Sequence, residues 1–143
     1  MPAIARSALC LLWLSTAVAA ETDAEKIRSV VRELSASLEA GEAARFLDQV
    51  DRRRCPEYAK LESNVVALVA QYEVGSSVDV IEQSKTGDAY ELKLDWILER
   101  KPAGGAGPSQ RRRENVTCRI EPSGKRWKVT ALSPVAFFSP LSK

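Results

Sequence analysis

The 143-residue sequence contains no histidine. That absence excludes a Ser-His-Asp or Cys-His nucleophile system and every zinc or haem site built on imidazole. Cysteine is nearly as scarce. Of the three present, Cys10 lies in the leader described below, so Cys55 and Cys118 remain, too few for a four-thiolate zinc site. Neither sign of charge dominates: 21 Lys plus Arg against 19 Asp plus Glu leave a net +2, without the basic excess of a nucleic-acid binder. The one glycine-rich stretch, Gly104-Gly105-Ala106-Gly107, lacks the Lys-Ser/Thr that follows a phosphate-binding loop. No cofactor and no metal-ligand set is therefore expected.

What is present begins with an address. Arg6 precedes an apolar run from Ala8 to Leu14, which continues to small residues at Ala17, Ala19 and Ala20. This is the layout of a secretory signal peptide over residues 1–20. The run is shorter than the roughly 20 apolar residues needed to span a bilayer. Leu9 before Cys10 does not fit a lipoprotein signal. Removing residues 1–20 takes away only Arg6 among the charges, leaving a nearly neutral chain. No second long apolar run follows, so no stable membrane span is expected after cleavage. Residues 21–143 are expected to form one domain, periplasmic or secreted, in a compartment that permits disulfides.

At 45% hydrophobic and 28% charged residues, that domain has the composition of an ordinary globular core and surface. Thr22-Asp23-Ala24-Glu25 has the form of a capping box. Behind it Ile27, Val30, Val31, Leu34 and Leu38 recur at helical spacing up to Gly41. A short second helix is predicted over residues 42–50, burying Ala43, Phe46, Leu47 and Val50. Cys55-Pro56 opens a third, with Tyr58, Leu61, Val65, Leu68 and Tyr72 on its apolar side and Gly75 at its end. The period then changes to two. A strand is predicted over residues 76–84, then a turn at Lys85-Thr86-Gly87-Asp88. In the next strand Tyr90, Leu92, Leu94, Trp96 and Leu98 alternate with Glu91, Lys93, Asp95 and Glu99. After the glycine-rich loop, residues 111–121 form a third strand with Val116, Cys118 and Ile120 on one face. A turn at Pro122-Ser123-Gly124-Lys125 leads to a fourth, with Trp127, Val129 and Ala131 on the apolar face.

Centring the middle hairpin on Gly105 sets Glu99 opposite Arg111 and Glu91 opposite Arg119, with Leu94 facing Val116 and Leu92 facing Cys118. Opposite charges then meet on the wet face and apolar residues on the buried one. In this register Arg111-Arg112-Arg113 are read as charges that balance a neighbouring acidic strand and blunt an edge. The expected fold class is α+β, three N-terminal helices packed on a curved four-stranded antiparallel sheet.

This order resembles the nuclear transport factor 2-like, cystatin-like α+β cone over residues 23–138. The resemblance is carried by Leu34-Ser35-Ala36-Ser37-Leu38, Phe46-Leu47-Asp48, Leu94-Asp95-Trp96-Ile97-Leu98 and the terminal Trp127-Lys128-Val129-Thr130. It is similar above all to small exported bacterial members without an assigned function. The superfamily holds ketosteroid isomerases, dehydratases, cyclase-like enzymes and plain interaction modules, so the fold does not select a function.

The enzyme members place a carboxylate in the cone, where a dry environment raises its pKa into the range for proton transfer. Asp79 and Asp95 are the strand-borne carboxylates. Asp95 has the parity of the wet face, which leaves Asp79 as the candidate acid/base, against the simpler reading of a solvated strand carboxylate. Tyr58, Tyr72, Tyr90, Trp96 and Trp127 are candidate pocket-lining residues and equally core residues.

Cys55 and Cys118 admit three readings. They form a disulfide across about 60 residues, worth roughly 4 kcal/mol by chain entropy; they are packed free thiols; or they are redox-active, for which Cys55 has a helix N-terminus and Arg54 beside it. The apolar tail around Phe137 and Phe138, broken by two prolines, either covers the sheet or presents a partner surface. Members of the fold often dimerise through the sheet, but the charged outer face expected here disfavours that interface, and a homodimer is left open. With no recognisable acid/base constellation, the expected role is non-catalytic: binding a small apolar ligand or a protein partner. The alternatives are an isomerase- or cyclase-like enzyme and an accessory subunit of an envelope assembly.

Overall fold

The computed structural model describes residues 22–105 and 107–140. The proposed signal peptide lies outside the described residues. Three helices, α1 (Asp23–Glu39), α2 (Ala43–Asp48) and α3 (Tyr58–Gln71), precede four strands, β1 (Tyr72–Thr86), β2 (Ala89–Pro102), β3 (Gln110–Ser123) and β4 (Arg126–Ser133). The strands form one antiparallel sheet in the order β1-β2-β3-β4. A 3₁₀ turn, Val135–Phe138, follows β4. Helices and sheet enclose one core, in which Ile27, Leu34 and Leu38 of α1 and Leu61, Val65 and Leu68 of α3 meet the inner face of β2 and β3. None of the described helices is long and apolar enough to cross a membrane.

Local chemistry accounts for the ends of α1. The Thr22 hydroxyl accepts from the Glu25 N–H and the Glu25 carboxylate accepts from the Thr22 N–H, satisfying donors that a helix start leaves open. Past its end, Gly41 takes φ +69°, the left-handed conformation that closes a helix most easily without a Cβ. The β1–β2 hairpin turns on Gly87-Asp88 with Gly87 at φ +62°, as a two-residue hairpin loop requires.

The register of β2 against β3 is the expected one: Glu99↔Arg111, Glu91↔Arg119, Leu94↔Val116 and Leu92↔Cys118 are all paired. The strands run further into their turns than the sequence reading placed them, and the helix ends and the β4 alternation also differ. α3 begins at Tyr58 rather than at Cys55-Pro56 and stops at Gln71, and Tyr72 through Gly75 are already strand, paired with Pro102 through Glu99. Pairing with the long β2 overrides the helical spacing of Tyr72, and Gly75 is a strand residue facing Glu99, not a helix terminator. α2 is shorter than expected, and Val50 leaves it to form a parallel bridge with Val129. In β4 a bulge opposite Arg119/Ile120 inserts Thr130 and shifts the alternation. Leu132 therefore joins Val129 in the core while Ala131 is only half-buried.

Candidate functional site

The space between α1, α3 and the inner face of the sheet is where a cone fold would hold a ligand, and here it is filled from within. Trp96 is 0% exposed, and Phe137 and Phe138 of the C-terminal turn are 1% and 0% exposed. The Trp96 and Phe138 rings meet edge to face at 5.0 Å between centroids, Phe137 and Phe138 at 5.1 Å, and Phe46 and Phe138 at 5.5 Å. Such tilted packing suits the ring quadrupoles. The expectation of Phe137 and Phe138 as a partner surface is thereby corrected: both rings turn inward because Trp96 and Phe46 offer them a dry socket. Trp96 also ends a polar chain. Its Nε1 donates to Ser76 Oγ at 2.8 Å, and Ser76 Oγ lies 2.6 Å from Ser35 Oγ, joining β2, β1 and α1 and leaving the indole N–H satisfied.

The other four proposed pocket residues do not converge on one cavity. Tyr90 and Trp127 stack edge to face on each other, 5.6 Å apart. Tyr72 lies under the Arg100 guanidinium at 5.3 Å. Tyr58 borders an open depression with Leu47, Val50, Arg52 and Lys128, where burial pushes its phenol up first and Glu62 adds to the shift.

The carboxylates lie on the outer face of the sheet. Asp95 receives a two-pronged contact from Arg113, Nε to Oδ1 at 2.9 Å and Nη2 to Oδ2 at 2.7 Å, and this hydrogen bond holds its carboxyl below the usual range. Asp79 sits directly across from Asp95 on β1 and is exposed. It therefore does not enter the interior, and its candidacy as a cone acid/base is corrected by strand parity. Arg113 balances Asp95, and Arg111 stands across from Glu99 in the register expected of the arginine run.

Cys55 and Cys118 are free thiols, both buried in the same core. The structure thus holds two packed small side chains rather than a disulfide. Burial raises both pKa values, Cys118 to about 12 with a smaller push from Cys55, and a thiol so poised is not a ready nucleophile. Among the described residues no group of three or more His, Cys, Asp or Glu gathers as a metal site.

Two residues matter more than the sequence reading allowed. Arg100 continues the inward row of Leu94, Trp96 and Leu98, and Arg112 shares the parity of Val116 and Cys118 beyond the exposed Glu114. The signal was strand parity, obscured for Arg112 by arginines on either side. Arg100 is 3% exposed, and its Nη2 donates to Gln110 Oε1 at 3.0 Å and its Nη1 to the Ser139 and Pro140 carbonyls. Arg112 Nη1 donates to the carbonyls of Ala136 at 3.0 Å and Phe137 at 2.8 Å. Burial, and then the neighbouring charge of Arg100, push the Arg112 pKa down, while Glu114 pushes it up.

Beside this clamp a cleft of about 470 Å³ opens between α3, the start of β3 and the C-terminal turn. Lys60, Asn64, Arg112 and Glu114 supply its polar wall, and Pro134, Ala136 and Phe137 its apolar floor. Asn64 is fixed by donation to the Val135 carbonyl at 2.9 Å.

The sequence matches no protein-family model and no curated protein. Among solved structures the likeness is one of architecture. A predicted dehydratase of the nuclear transport factor 2-like family from Streptomyces avermitilis superposes with a TM-score of 0.65 at 12% identity, over 77% of this chain and 93% of that one. A predicted scytalone dehydratase from Novosphingobium aromaticivorans gives 0.66 at 7% identity, over 76% and 80%. The β subunit of benzoate 1,2-dioxygenase from Burkholderia mallei gives 0.60 at 16% identity, over 78% and 87%. The chain has the nuclear transport factor 2-like fold, shared by proteins named as enzymes and by a protein named as a subunit.

Proposed function

We propose that the protein is an exported, non-catalytic module that binds a small ligand or a protein partner. One observation carries this reading. The buried polar and charged residues of the described interior are Ser35, Ser37, Arg100 and Thr130, with no carboxylate among them, and the volume around Trp96 is occupied by the chain's own aromatic rings. An isomerase or dehydratase of this fold needs a proton-transfer group in a dry space large enough for substrate. The layout of residues 1–20 supports export. The dioxygenase β subunit among the structural neighbours lends weight to a protein partner, as an accessory subunit would have.

Native mass spectrometry of protein recovered from the exported fraction of its own host tests this. The expected result is a chain cleaved near Ala20 that carries a co-purifying molecule or partner of defined mass. A bare chain throughout would overturn binding. Turnover of a small molecule that is lost on Asp79→Asn or Asp95→Asn would overturn the non-catalytic reading.

A further inference from the structure

We propose that the end of the molecule formed by the α2–α3 junction and the β3–β4 turn docks on an anionic phospholipid surface. This contact is separate from the ligand or partner of the binding-module reading and does not depend on it.

Two distant stretches of chain are fastened together at this end. Arg54 Nη2 donates to the Pro122 carbonyl at 3.0 Å, and Arg126 Nη2 donates to Asp48 Oδ2 at 2.8 Å. The Asp51 N–H donates to the Val129 carbonyl and the Val129 N–H to the Gln49 carbonyl, each at 2.8 Å. The junction is thus pinned to the edge of β4, and its side chains share one rim with those of the turn.

That rim is the positive pole of the chain. Residues 48–57 and 119–128 hold seven Lys and Arg against four Asp and Glu, whereas the rest of residues 21–143 holds 13 against 15. Three of the seven cations are matched by carboxylates: Arg54 by Asp51, Arg126 by Asp48 and Arg119 by Glu121. Arg52, Arg53, Lys125 and Lys128 stand outside the ion pairs of the described residues, against the single exposed acid Glu57. Arg52 lies over the Tyr58 ring at 5.9 Å, and Lys128 acts at longer range on Asp48. Glu62, in the same depression as Arg52, offsets part of the field.

The chemistry of the rim favours a bilayer. Its cations come from a loop and a turn, and the depression that holds Arg52 and Lys128 is open, so they suit a plane of headgroups better than one enclosed anion. Tyr58 and Trp127, both half-buried, belong to the same rim, and amphipathic rings of this kind favour the headgroup region. The chain lacks the basic excess of a nucleic-acid binder.

Protein recovered from its own host is sedimented with vesicles of phosphatidylcholine alone, or of phosphatidylcholine and phosphatidylglycerol at about 2:1. Binding is expected to the anionic vesicles only, and should vanish at about 1 M salt. Arg52→Gln, Arg53→Gln and Lys125→Gln, all at exposed positions, should each weaken it by up to about fivefold. Glu57→Gln should tighten it by about twofold. Lys101→Gln, at the opposite end of the sheet beside Glu73, is the control and should change it by less than about twofold. Each variant is compared with wild type prepared in the same way, so any contribution of residues 1–20 cancels.

Equal binding to both vesicles, or none to the anionic vesicles at low salt, would overturn the proposal. So would a combined Arg52→Gln, Arg53→Gln and Lys125→Gln variant that binds as well as Lys101→Gln. Retention on heparin without vesicle binding would also overturn it and assign the rim to a soluble polyanion. None of these outcomes touches the native mass test above, so the two readings fail separately.

Discussion

At the scale of single residues, Ser76 holds more together than its size suggests. Its hydroxyl meets both the Trp96 indole N–H and Ser35 Oγ, and Trp96 has no access to water. Removing that hydroxyl orphans a buried donor, which costs more than the hydrogen bond itself contributed. Ser76→Ala is expected to destabilise by about 2 kcal/mol in urea unfolding, and a loss below about 0.5 kcal/mol would show that the chain Ser35–Ser76–Trp96 is incidental. The thiols make a kinetic test. With the Cys118 pKa near 12, its thiolate fraction at pH 8 is about 10⁻⁴, so alkylation by iodoacetamide should run at least about 100-fold slower in native than in urea-unfolded protein. Intact mass after a time course reads this directly, and a Cys118 alkylated at the unfolded rate would contradict its burial.

Individual residues also show what could be read in advance. Glu91, Glu99, Arg111 and Arg119 announced their own register, because charge and hydrophobicity on opposite faces had to agree at once. Arg112 was equally readable by parity, but a run of three arginines looks like one solvated patch, and only its middle member faces inward.

At the scale of elements, the β4 bulge and the C-terminal turn are where local pattern and tertiary demand part. The bulge puts Thr130 into the core, where Oγ1 has no hydrogen-bond partner among the described residues. Thr130→Val keeps the shape and removes the unpaired hydroxyl, so it should raise stability by about 1 kcal/mol, visible as a higher Tm. A fall in Tm would mean that the hydroxyl is paired in solution. The turn works in the opposite sense. Phe138 is fully buried against Phe46 and Trp96, so Phe138→Ala should cost about 3–5 kcal/mol, measured by denaturant unfolding. An effect near zero would return Phe138 to the surface role first expected of it. Sequence pattern could not distinguish these roles, since a tail broken by two prolines has no period to read. The end of α3 failed for a related reason: Tyr72-Glu73-Val74-Gly75 suits either a helix or a strand, and the long β2 partner decided.

At the scale of the whole molecule, ion pairs tie the layers together and set an acid limit. Glu33 of α1 is bound by Arg45 of α2, Asp48 by Arg126 of β4, Asp95 of β2 by Arg113 of β3, and Asp51 by Arg54. In each case the hydrogen bond from arginine is the largest cause holding the carboxyl below its ordinary range. A carboxyl whose pKa is lower folded than unfolded stabilises fully above its unfolded value and loses that contribution as pH falls through the folded one. Tm should therefore be flat from pH 7 to about 5 and decline below about pH 4. Asp48→Asn combined with Asp95→Asn should make the decline shallower. An unchanged acid limb in that variant would place the sensitivity elsewhere.

The aromatic plug has a further consequence, which concerns time rather than space. Phe137 and Phe138 seal an interior whose walls, from Leu34 to Leu132, are all made earlier on the ribosome. Until those two rings emerge, Trp96 and Phe46 have no cover, and a nascent chain has little reason to settle into its final packing. The two rings follow every wall they cover, so a folding intermediate that has not yet docked the Val135–Phe138 turn should leave Trp96 and Phe46 open to water, and Trp96 fluorescence would report the docking step.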